Sequence, residues 1–483
     1  MRIQFPTNSF PGSKPQESAG RLINAVAEPL GEGRALPYKI IRSPGVQAFS
    51  NHGALGTLTN FRGMAYMRGT IYVAYNDKLV RFTEAAPAMT RIDVSDVVMS
   101  GGGPVFFATD QNVVPNKILV RARLGGAFTF TDTVISDTAI VNVETAIDVT
   151  YGLGYFFYGM PDGRCFSSTL PNTPDAGPNT KAESKPDGLL RTVFFQDQLY
   201  LMGASTIEIY GKPFNTGTNE FPLTKVTAVQ RGLISNKAVS GYEDGIDLGI
   251  AFVANNYQVV RLNGYLPERI STPDVERSIQ NTDNKSTIEC TSFIADTHVY
   301  LKVRSPNWCW VYDFTTQKWH ERQSYLQAAS RLLQAVYTGT RWLIGDADSD
   351  VIGAVLPTHY YELGTPLVWQ VDSVPAQGFP YRVVVGPAHF LMVSGVGSVL
   401  PPDTPYVLQP QLQVSWSDDG GVNFCNPVLR SLGMMEESQQ LLTVRLTGSF
   451  GPHGRVWRLT CSDPVYVSLL DADMPRVGKR DAA

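Results

Sequence analysis

Charge is scarce in this chain: of 483 residues, 17% are Asp, Glu, Lys or Arg, and 40 basic against 44 acidic side chains leave a net charge of −4. No basic field draws it onto a phosphate backbone, which excludes tight charge-driven binding of nucleic acid but not contact with DNA that slides past. Cysteine is scarcer still. Cys165, Cys290, Cys309, Cys425 and Cys461 are odd in number, irregularly spaced and form no CxxC pair, a pattern of free thiols made in a reducing cytoplasm rather than a disulfide framework. The opening Met-Arg-Ile-Gln-Phe-Pro-Thr-Asn lacks the apolar stretch of a signal peptide, and no later run approaches a membrane span, so a soluble, not conventionally secreted chain is expected.

Catalytic signatures are also lacking. The six histidines, at 52, 298, 320, 359, 389 and 453, show no metal-ligand spacing, and His320-Glu321 is not followed by a second histidine at 324, so no metal site is predicted. Neither a phosphate-binding P-loop nor a G-x-S-x-G elbow occurs, and Gly101–Gly103 reads as a turn rather than a phosphate cradle. Long helical rhythm is absent as well: Gln323–Tyr337 is the one short helical candidate.

What is present is a mixture of turn formers and sheet formers, with 43 Gly, 32 Pro, 23 Phe and 21 Tyr spread along the chain. Short apolar strands recur at residues 70–75, 105–108, 154–158, 198–202, 250–254, 299–303 and 341–344. One aromatic from each, Tyr72, Phe106, Phe156, Tyr200, Phe252, Tyr300 and Trp342, gives intervals of 34, 50, 44, 52, 48 and 42 residues. A four-stranded propeller blade takes about 40–50 residues, so residues 51–360 are predicted to form a β-propeller of six or seven blades; an irregular pair of β-sandwiches is the alternative. After Pro357 the strands alternate, at 367–371, 382–385, 411–416, 442–446 and 456–461, which predicts a β-sandwich over 361–475. Residues 1–50, rich in proline, read as an extended arm that closes the propeller or grips a neighbour, and 476–483 as a polar, solvated tail. The fold class is all-β.

Two acidic clusters invite a functional reading. Asp346, Asp348 and Asp350 alternate, so an extended strand would put all three on one face and could hold a hard cation; a solvated turn is the plainer reading. Trp416–Phe424 resembles an Asp-box, with Ser417, Asp419, Gly421 and Phe424 in the expected places. That motif marks a β-hairpin in enzymes and non-enzymes alike. A glycosidase would also need a carboxylate pair, and none stands out along the chain.

Five stretches in order resemble the packaged-DNA stabilisation proteins, or tail accessory factors, of short-tailed phages of enteric bacteria. They are Lys181-Ala-Glu-Ser-Lys-Pro-Asp-Gly-Leu189, Gly203-Ala-Ser-Thr-Ile-Glu-Ile-Tyr210, Val229-Gln-Arg-Gly232, Val311-Tyr-Asp313 with Trp319, and Gly345–Gly353. Asn24–Glu28 and Ser43–Gly45 resemble the same family's first segment, whereas the C-terminal region matches loosely. The motif positions are Glu183, Ser184, Pro186, Asp187, Gly188, Ser205, Thr206, Glu208, Arg231, Gly232, Tyr312, Asp313, Gly345, Asp346 and Gly353, all read as structural. The resemblance implies a virion protein made in the host cytoplasm, with no catalytic residue and no cofactor. It further implies a propeller assembling as a ring, a hexamer, below the portal and an adaptor ring, retaining packaged DNA and meeting the tail needle and the tailspike or fibre. A receptor-binding or glycan-degrading phage propeller is the competing reading.

Overall fold

The computed structural model describes residues 1–31, 37–51, 57–83, 89–94, 99, 101–214, 220–246, 249–396 and 407–480; His52 lies outside them. The chain divides into two compact units, one of 48–293 with 331–354, the other of 1–47, 294–330 and 355–483.

The first unit is organised around seven strands, each opening one antiparallel meander: β1 (Phe61–Met67), β2 (Val105–Thr109), β3 (Asp148–Gly152), β4 (Leu189–Phe195), β5 (Val239–Ser240), β6 (Glu289–Ala295, whose last two residues fall in the other unit) and β7 (Leu332–Tyr337). Polar bonds and close packing link each to the next. Gly63 lets β1 approach β2 so closely that a Cβ there would meet the Val105 carbonyl at 2.1 Å. The Arg191 guanidinium of β4 lies 3.6 Å from the centre of the Phe106 ring of β2 and 2.7 Å from Asp148 of β3. The Ser240 hydroxyl of β5 is hydrogen-bonded to the Ser292 hydroxyl of β6 (2.9 Å), the Ala335 amide of β7 donates to Thr291 of β6 (2.9 Å), and the Met64 amide of β1 donates to Gln334 of β7 (3.0 Å). Among the described residues seven such meander-opening strands are present, a number within the six or seven expected from the intervals.

Between meanders the packing is apolar and two-sided, because successive side chains of a strand point to opposite faces. Tyr72 and Ala74 pack toward Leu119 and Phe128, while Ile71, Val73 and Tyr75 of the same strand pack toward Leu343 and Ala354. Phe156 and Tyr158 face Ile118 and Val120; Phe157 between them faces Leu199 and Leu201. Strands buried on both faces read as continuous apolar runs, which is why they were visible in the sequence.

The other unit packs two sheets over one core. One sheet orders Arg21–Ile23, Trp369–Asp372, Val456–Cys461, Gln411–Ser417 and Val428–Ser431; the other orders Ala25–Pro29, Tyr38–Arg42, Ser468–Asp473, Ala388–Met392 and Leu442–Val444. Leu22, Trp369, Leu412 and Trp457 of the first meet Ile40, Phe390, Val444 and Leu469 of the second. N-terminal strands take part in both of these sheets.

Three local expectations are corrected. The segment read as an extended arm contributes paired strands: Arg21–Ile23 runs antiparallel to Trp369–Asp372, and Tyr38–Arg42 pairs with Ser468–Asp473. Its prolines punctuate strands instead of keeping the segment free. Arg476–Arg480, read as a solvated tail, pairs with Arg382–Val385. The helical candidate Gln323–Tyr337 ends in a strand, Leu332–Tyr337, which pairs with Trp342–Asp346. Among the described residues the α-helix is Pro273–Gln280, started by a proline with fixed φ and by Asp274 and Glu276 in its first turn, and it buries Val275 and Ile279.

Candidate functional site: the propeller axis

The residues that meet at the axis come from strand starts far apart in sequence. Arg191 spans the middle, donating to Asp148 (2.7 Å) and to the Tyr242 hydroxyl (2.8 Å) while lying on Phe106. Asp148 is fully buried and also accepts from the Thr192 amide (2.6 Å) and hydroxyl (3.0 Å). Burial pushes the Asp148 carboxyl up against the pull of Arg191 and Thr192. Burial alone would lower Arg191, but Asp148 and Tyr242 hold it above its ordinary value. Burial also raises Glu243, which accepts from Ser240 Oγ (2.6 Å) and the Gly241 amide (2.5 Å). Lys237 pairs with Glu289 at 2.8 Å.

Carboxylates with displaced ionisation in a concave site are what an enzyme pocket would show. Here the two shifted carboxyls have structural engagements, Asp148 with Arg191 and Thr192 and Glu243 with a turn. What the arrangement does is close the axis. Val105, Phe106, Arg191, Tyr242, Glu243 and Gln334 line both a void of about 50 Å³ and a larger recess of about 280 Å³, and so form the septum between them. The smaller void has room for about one or two waters.

Beside the axis, Gly101–Gly103 cradles a cation. All three glycines have positive φ, the left-handed region that favours glycine. Arg62 donates to the Gly102 (2.9 Å), Gly103 (2.6 Å) and Asn76 (2.7 Å) carbonyls, and to that of Met99. Burial, with Arg121 adding repulsion, brings its pKa down to about 10. The expected turn is present, and it serves a guanidinium.

The quoted motifs converge in three places. Asp187 accepts from the Ser205 and Thr206 amides (2.5 and 3.1 Å) and the Thr206 hydroxyl (3.2 Å). Glu208 accepts from the Ser184 amide (2.7 Å), the Tyr210 hydroxyl (3.0 Å) and Lys225 (2.9 Å). Gly188 and Gly232 run against backbone: a Cβ would lie 2.1 Å from the Pro161 carbonyl at the first and 2.2 Å from Ala204 and Ser205 at the second. Glu183, Pro186 and Arg231 are exposed nearby. In the second place, Asp313 bonds His298 (2.7 Å), the Thr315 amide (2.9 Å) and Thr316 (2.7 Å), and Tyr312 packs on Trp319. In the third, Gly345 lies against Phe61, Gly353 pairs with Ile344, and the acidic triplet is divided. Asp346 pairs with Arg331, Asp350 with Arg91 (2.7 Å), and Asp348 with Arg331 at 3.5 Å.

The Asp-box closes the hairpin between Gln411–Ser417 and Val428–Ser431. Ser417 accepts from the Gly421 amide (2.8 Å); Asp419 accepts from Ser417 Oγ (2.5 Å) and the Val422 and Asn423 amides (both 3.0 Å). Arg458 lies 3.7 Å from the centre of the Phe424 ring. All five cysteines are free, and among the described residues no group of three His, Cys, Asp or Glu could hold a metal ion.

The axial residues Arg62, Asp148, Arg191, Tyr242 and Glu243 were not singled out from the sequence. Arg191 and Asp148 are 43 positions apart, and only closure of the ring brings them together.

No curated protein matches the chain. Two solved structures align with it: the WD40 β-propeller domain of Doa1, at 8% identity over 64% of this chain and 96% of that one, TM-score 0.41, and the computationally designed Ika8 protein, at 10% over 73% and 98%, TM-score 0.39. Residues 24–360, more than half of the chain, match the model of the phage stabilisation family described as bacteriophage P22 Gp10, β-propeller. That span takes in every motif from Asn24 to Gly353, so the chain belongs to this family of podovirus DNA-stabilising tail accessory proteins and is a structural component of a phage tail.

Proposed function

We propose that several copies, six by family resemblance, form a ring below the portal and adaptor, close the channel so that packaged DNA is retained, and carry the tail needle. The observation that supports this most directly is the closed axis. A B-form duplex, whose major groove alone is about 12 Å wide, has no path past the Arg191–Phe106 septum. A conduit for DNA must then run between subunits, and a ring of propellers provides one. The low net charge suits such a conduit, because DNA that must later leave is not gripped. Residues 361–475 add contacts between subunits in this reading, and retention is mechanical rather than catalytic. The protein is made in the bacterial cytoplasm and ends in the virion tail.

The test is the DNase-protected genome fraction in particles lacking this protein, with and without addition of the purified chain, alongside its assembly state by sedimentation. Leaking heads restored by a hexamer are expected. Heads that keep their DNA but fail to adsorb would sink the proposal and favour a receptor-binding or glycan-degrading role.

A further inference from the structure

A second concavity of the first unit, lined by none of the axial residues, lies between two hairpin turns of neighbouring meanders. One turn follows Leu189–Phe195, with Gln196 and Asp197 both at positive φ (48° and 59°) and Phe195 paired with Gln198. The other is Gly264-Tyr265, between Asn263 and Leu266, which pair. Two-residue turns of this kind are stiff, so the cleft is set before anything enters it. Its volume is about 500 Å³, within the range of small-molecule clefts, about 300–1,000 Å³.

Tyr200 donates to Gln198 Oε1 (3.1 Å), and Gln198 Nε2 donates to the Tyr265 hydroxyl oxygen (2.6 Å). That relay holds the Tyr265 ring in place although it is 41% exposed. Since the Tyr265 oxygen already accepts, its proton is left to donate outward. Asn263 gives its amide nitrogen to Glu268 (2.8 Å), leaving Oδ1 as an acceptor. Gln196 and Arg261 complete the polar wall, and nothing lies within 4 Å of where a Cβ on Gly264 would be.

An immobilised aromatic face beside amides and one guanidinium suits a ligand with C–H faces and closely spaced hydroxyls. A nucleotide would call for a phosphate cradle, an acidic ligand for several cations, and a lipid or drug-like ligand for a mostly apolar wall. We propose that this cleft binds a neutral pyranose oligosaccharide, stacked on Tyr265 and hydrogen-bonded by Gln196, Gln198 and Asn263. The proposal is independent of ring formation, and a soluble binding measurement tests it apart from DNA retention.

Saturation-transfer NMR on the purified full chain, with maltohexaose, cellohexaose and an oligogalacturonate as probes, is the test. At least one neutral hexasaccharide is expected to bind with a Kd of about 1 mM or tighter. Tyr265→Ala and, separately, Gln198→Ala should each weaken that binding about tenfold, the loss of one well-placed contact of roughly 1.4 kcal/mol, with unchanged melting. Lys78→Ala, in another meander and paired with Asp93, should bind as the parent does. Because Tyr265 is a surface turn residue its loss should leave the fold intact; if it does not, Gln198→Ala decides. Binding of no neutral probe, binding of the oligogalacturonate alone, or undiminished binding by the folded variants would overturn the assignment.

Discussion

The two units bury their side chains on different plans. The terminal unit gathers one continuous core in which Trp369, Phe390, Trp457 and Leu469 all take part. The propeller unit divides its apolar residues among clusters between neighbouring meanders and reserves its centre for polar groups. A continuous core is lost as a whole when its largest member is removed, because surrounding side chains fill the gap only partly. A partitioned core confines damage, but its centre depends on every buried charge keeping its partner.

Trp457→Ala is the sharpest way to break that contrast. Trp457 is fully buried and packs against Phe390 and Trp416, with ring centres 5.5 and 5.4 Å away. Its loss should cost the terminal unit about 3–5 kcal/mol, seen by hydrogen exchange as loss of protection along Trp369–Asp372, Gln411–Ser417 and Ser468–Asp473 with little change at Ile71–Tyr75. Equal loss in both units would erase the distinction. Asp148→Asn probes the other side. It leaves Arg191 without its carboxylate and should cost about 3 kcal/mol, with faster exchange centred on β3 and β4. Adding Arg191→Met removes the stranded charge and should recover most of it; no recovery would mean that the pair matters through something other than charge.

The same contrast explains what the sequence reveals. Strands buried on both faces announce themselves as apolar runs, so the meanders and their spacing were legible. Six of the seven aromatics used for the count, Phe106 excepted, lie on the second strand of a meander. Phe106 is on a first strand, which shortens the first interval to 34 and lengthens the next to 50. The N-terminal strands were not legible, because Arg21–Ile23 sits between Lys318–Glu321 and Trp369–Asp372, and the local hairpin of Ala25–Pro29 with Tyr38–Arg42 enters its sheet only through Ser468–Asp473, far along the chain. The Gln323–Tyr337 reading failed for a related reason: its local apolar rhythm was overridden by pairing with Trp342–Asp346. The motifs of residues 181–232 were visible as residues, but their work, carboxylates binding the backbone of the next turn, appears only once Asp187 meets Ser205 and Thr206. The axial charges had no linear signal at all.

The smallest effect concerns the Asp-box of the terminal unit, which the sequence did announce. Burial is the largest single influence and opposes ionisation of Asp419, but the Ser417 hydroxyl and the Asn423 and Val422 amides together outweigh it and bring its pKa down to about 2. A carboxylate held below its ordinary value of about 3.9 stabilises the fold fully above that value and loses its contribution as the pH falls toward 2. Asp419→Ala should therefore cost about 1–2 kcal/mol at neutral pH, the worth of a few hydrogen bonds to an exposed charge. The difference from the parent should shrink steadily between about pH 4 and pH 2. Urea unfolding at pH 6 and pH 2.5, followed by the fluorescence of the neighbouring Trp416, would read it. A cost that stays the same at both pH values would mean that the hairpin depends on the shape of Asp419 and not on its charge. In that case the terminal unit, unlike the propeller, would owe nothing measurable to this ionised group.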